Sequence, residues 1–153
     1  MTIQHDPFAT HDTELKDLVQ RHKVCFESYP IWHVPAAGGR IAIGYELDLI
    51  GTHDHPAHPP AAGCIECRPV FQALTTLAHG IMPPNGRASR YAIEPYDVAL
   101  HFSPRRKMRK DVIVAIDIVH RQQFDRSVDE CEIHCLAEMK EKLKALGAKP
   151  FQW

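Results

Sequence analysis

The chain has 153 residues, enough for one domain with a real apolar core, since a chain of this size buries roughly 68–70% of its unfolded surface. A formal net charge of -1 excludes a global field that would draw it to nucleic acid or an acidic membrane. No apolar run approaches the roughly 20 residues needed to cross a bilayer.

Five cysteines, an odd number, fit a fully disulfide-paired secreted domain poorly. Met1 to Thr13 is polar and acidic and lacks a signal-peptide pattern. A cytoplasmic location is the expectation. Eleven histidines are many for this length and favour metal chemistry.

In chain order, Met1 to Ala9 reads as frayed and Thr13 as a helix cap. Leu15, Leu18, Val19, His22 and Phe26 then mark one helical face, with Cys25 at the helix end. Tyr29 to Val34, with Pro30 inside and Pro35 behind, predicts an edge strand, because each proline removes a backbone donor. Ala36 to Gly39 is a turn. Arg40 to Ile50 alternates strictly: Ile41, Ile43, Tyr45, Leu47 and Leu49 share one face, and Ala42, Gly44, Glu46 and Asp48 the other. That is the period of a half-buried antiparallel strand, with Glu46 and Asp48 facing outward or lining a cleft.

Gly51 to Gly63 is a proline-stiffened loop. Pro69 suits the first position of a helix. Val70, Phe71, Leu74, Leu77, Ala78 and Ile81 form its apolar stripe, and Gly80 with Pro83 and Pro84 stops it. Asn85-Gly86 signals a turn. Arg90 to Ile93 and Val98 to Phe102 read as strand, and Val112 to His120, apolar on both faces, as a central strand. His101 and His120 fall in these strands as sheet-face or core residues. Ser127 and Glu130 match a capping box for a last helix from Val128 to about Leu146, closed by Gly147. Phe151 and Trp153 suggest a tail that packs back.

The sharpest chemical signal is two close cysteine pairs. Cys64 and Cys67 lie in a glycine-led turn, and Cys131 and Cys135 lie near the start of the last helix. Zinc takes four ligands at tetrahedral corners and binds thiolates well. A two-residue gap lets both sulfurs of the first pair converge, and residues four apart lie above one another on a helix. His134 is the alternative fourth ligand. Helix N-termini favour thiolates. Four thiolates leave no open position for water, so this zinc is expected to be structural.

Two further stretches carry weaker chemistry. His53, Asp54, His55 and His58 lie just beyond the alternating strand, where imidazoles and a carboxylate could hold a hydrolytic metal. Their spacing matches no zinc-hydrolase motif. Arg105, Arg106, Lys107, Arg109 and Lys110 could lie against phosphates, as basic β-ribbons do, or form a solvated turn.

These readings combine into one zinc-stabilised α+β domain over residues 1–153. The expected architecture is a two-layer sandwich, a mostly antiparallel sheet of about four strands with helices packed on one face. The expected function is a binding or adaptor module for a protein or small-molecule partner, with nucleic acid the weaker partner through the basic stretch and no membrane. The alternatives are a metal-dependent hydrolase using the histidine loop and a thiol redox protein using Cys64 and Cys67.

Overall fold

The computed structural model describes residues 7–52, 67–81, 96–102, 112–120, 127–129 and 133–152. In chain order these form α1 (Pro7–Arg21), β1 (Cys25–His33), β2 (Ile41–Gly51), α2 (Arg68–Ile81), β3 (Tyr96–Phe102), β4 (Val112–His120), α3 (His134–Ala145) and β5 (Lys149–Pro150). The strands make one sheet ordered β3-β4-β2-β1-β5. Neighbours are antiparallel except β5, which runs parallel to β1. The fold is α+β, as expected, with helices packed against a mostly antiparallel sheet.

One apolar cluster joins the layers. Phe26, Leu47, Leu49, Val114, Ile116 and Ile118 supply the sheet side. They fall at every second position of their strands, the spacing that puts side chains on one face. Leu15 and Val19 of α1, Leu74 and Leu77 of α2, and Leu136, Met139 and Leu143 of α3 supply the helical side at three- and four-residue steps. α2 lies on β2 and β4, with α1 and α3 beside it. A Cβ on Gly51 would come 2.7 Å from Val70 Cγ1 and 3.5 Å from Leu74 Cδ1. The end of β2 therefore packs against the Val70 and Leu74 side chains of α2 with no side chain of its own at position 51. Asp12 and Lys142 tie α1 to α3 at 3.9 Å, a partly exposed pair contributing at most about 1 kcal/mol.

Several expected boundaries move. α1 begins at Pro7, so Thr13 lies inside the helix and does not cap it. It ends at Arg21, and Cys25 and Phe26 open β1. The break comes at Lys23, whose φ of 50° is left-handed, while Val24 N–H closes back onto Val19 C=O at 3.0 Å. Phe26 fits the helical face and the strand alternation equally well, and pairing with Leu49 and Pro150 selects the strand. Gly80 does not stop α2, which runs through it to Ile81.

The last helix starts at His134, not Val128, and Ser127 does not cap it. Ile133 holds the cap position without a side-chain hydrogen bond. Val128 is instead buried and donates its N–H to Ala42 C=O of β2 at 2.8 Å, so a tertiary bond takes the backbone that the capping-box pattern assigned to helix. Val112–His120 is a strand between β2 and β3, as expected of a segment apolar on both faces.

Candidate functional site

The two described cysteines of the expected zinc set, Cys67 and Cys135, lie at the starts of two helices. Cys67 is the turn residue before α2, and its C=O accepts from Phe71 N–H at 2.9 Å, the first helical bond of that element. Cys135 sits in the first turn of α3. Both side chains are buried, at 1% and 2% exposure, within the same apolar cluster. Neither forms a disulfide. His134 beside Cys135 is exposed. Cys25 opens β1, half-buried, outside that cluster. Cys64 and Cys131 lie outside the described residues. Among the described residues, no group of three or more His, Cys, Asp or Glu side chains is placed to hold a metal ion.

His53, Asp54, His55 and His58 lie outside the described residues, as do Arg105, Arg106, Lys107, Arg109 and Lys110.

A second polar cluster lies on the sheet face opposite the apolar cluster. Residues directly opposed in an antiparallel ladder project to the same side. Glu27 of β1 stands opposite Asp48 of β2, Tyr29 opposite Glu46, and Glu46 opposite Asp117 of β4. Tyr29 Oη donates to Glu46 Oε2 and also to Asp48 Oδ2 at 2.9 Å, so one phenolic proton is shared between two carboxylates. Burial raises the Tyr29 pKa far above its ordinary value of 10.0, and the bond to Glu46 and the charge of Asp48 raise it further.

Glu46 and Asp48 are both 0% exposed, so of the two expected settings, facing outward or lining a cleft, the outward one is corrected. Carboxylate oxygens of Glu27 and Asp117 are buried on the same face. Strict alternation in β2 put Glu46 and Asp48 together, but nothing in one strand revealed the register that brings Tyr29, Glu27 and Asp117 to them. The tyrosine was legible only as a strand-forming aromatic. Chemically, the phenol and its carboxylates form a polar lock between β1 and β2. A one-residue slip of β1 on β2 would turn Tyr29 to the other face and leave both carboxylates buried without its hydroxyl, so these two bonds favour one register.

No helix among the described residues is long and apolar enough to cross a membrane. No family model, curated protein or solved structure matches the chain.

Proposed function

We propose that this chain is a binding domain stabilised by one structural zinc ion held by Cys64, Cys67, Cys131 and Cys135. The observation that carries the reading is the burial of Cys67 and Cys135 in one apolar cluster, at the starts of two helices that pack side by side. Thiolates at helix N-termini meet the positive end of the helix dipole. The sulfurs are shielded from solvent, whereas reactive thiols are partially exposed, which favours a structural ion over a redox pair. His134 is exposed beside a buried Cys135, which favours Cys135 as the fourth ligand. A four-thiolate ion activates no water, so in this reading the zinc holds the fold and the domain binds a protein or small-molecule partner.

Zinc content per chain, measured across single serine replacements, tests this. Native protein and Cys25→Ser are expected to hold one zinc each, with the ion lost or weakened in Cys67→Ser and Cys135→Ser. Metal loss should lower stability, because binding energy is coupled to folding. Full zinc retention in both Cys67→Ser and Cys135→Ser would sink the shared site.

A further inference from the structure

A groove of about 760 Å³ opens where α1 and α3 end, beside the first residues of β1 and β5. This volume lies within the range of small-molecule sites, about 300–1,000 Å³. α1 lines it with Lys16, Val19 and Gln20, a spacing that presents one helical face, and Lys23 follows in the turn that ends the helix. Val19, Val24 and Leu146 give it a buried apolar floor. Lys16, Lys23 and Lys149 stand exposed around it, and among the described residues no carboxylate lines it.

The charge pattern is specific to this place. Elsewhere on the same helices, Arg21 pairs with Asp17, Lys142 with Asp12, and Lys144 with Glu141. Among the described residues, Lys16, Lys23 and Lys149 form no ion pair.

Lysines near helix C-termini also complement the helix dipole. That role does not account for these three. Lys16 sits more than a turn before the end of α1. Terminal carbonyls of both helices are already capped by backbone. Val19 C=O accepts from Val24 N–H, and Leu143 C=O from Ala148 N–H, each at 3.0 Å. Three cations around an apolar floor match a ligand with one anionic end and an apolar body.

We infer that this groove binds a small organic anion, a carboxylate or phosphate carried on an apolar chain or ring. The apolar body rests on Val19, Val24 and Leu146, and the anionic head meets the lysine ammonium groups. The site is independent of the zinc reading. It lies at the far end of α3 from Cys135, roughly 15–18 Å along a helix of 12 residues.

Titration of the full chain with octanoate and with octyl phosphate, followed by backbone amide NMR, tests this, with 1-octanol as the neutral control. Shifts should concentrate at residues 16–25 and 145–149, for one or both anions, and which anion binds tighter identifies the head group. Replacing Lys16, Lys23 and Lys149 together by glutamine should weaken anion binding about tenfold or more and flatten its salt dependence. The lysines are exposed, so the variant is expected to fold, and its unshifted amide spectrum outside the groove checks that. The inference is overturned if neither anion shifts these residues at millimolar concentration. It is equally overturned if octanol binds as tightly as octanoate, or if the glutamine variant binds the anions unchanged.

Discussion

At position 29 a phenol brings a hydrogen-bond donor among Glu27, Glu46, Asp48 and Asp117 on one sheet face. Tyr29 serves both Glu46 and Asp48, which are inaccessible to solvent. Tyr29→Phe keeps the ring and removes the donor, so it should cost about 1–3 kcal/mol in urea unfolding. The pH dependence has a definite sign. The unfolded chain releases this proton near pH 10, while the folded chain holds it well beyond. Above pH 10 the folded state therefore binds more protons, and stability falls as pH rises. Below pH 10 the contribution is intact. Stability curves from pH 8 to 11 should show a decline near pH 10 in the native protein that Tyr29→Phe reduces. An unchanged curve in that variant would remove the phenol from the account. Gly44 is a second single-residue constraint. A Cβ there would run into the carbonyl oxygen of Ile118 and sit 2.8 Å from Val119 Cα, which is why β2 and β4 close as tightly as they do.

Among the elements, β1 shows how an edge is kept from pairing with other chains. β5 covers it only at Cys25 and Phe26, with Phe151 N–H donating to Phe26 C=O at 2.7 Å. Backbone direction alternates along a strand, so Ser28 and Pro30 turn toward the same edge, beyond the reach of β5. Pro30 has no N–H to offer there. The register then shifts between Ile31 and Trp32, an irregularity of the kind that blunts edges. Trp32, 46% exposed, is covered in part by Arg40, whose guanidinium lies 4.2 Å from its ring centroid. The edge character of this strand was readable from its prolines. The start of α3 was not. Ser127 and Glu130 satisfy the capping-box spacing, yet Val128 bonds to β2 and the helix begins at His134. Ser127→Ala should accordingly change stability by no more than about 0.5 kcal/mol, whereas loss of a working cap costs about 1 kcal/mol. A loss of the larger size on thermal or urea unfolding would restore the cap.

For the whole molecule, the layered α+β arrangement followed from patterns that survive without tertiary information. β2 alternates clearly, β4 is apolar on both faces, and the apolar stripe of α2 is continuous from Val70 to Ile81. What a single sequence could not carry is pairing between distant strands. Without the register, Glu46 and Asp48 look like an outward polar face, and Cys25 and Phe26 like the end of a helix. β5, two residues long, has too little pattern to find. The cysteine reading belongs to this scale, because the ion would tie the start of α2 to the start of α3 across the helical layer. Cys67 and Cys135 are both buried in the one apolar cluster, as such a tie would need. The measurement that bears on it most directly is zinc X-ray absorption of the native protein. A shell of four sulfurs at about 2.3 Å is expected. A shell of nitrogen and oxygen ligands with no sulfur at that distance, or protein that carries no zinc, would contradict it.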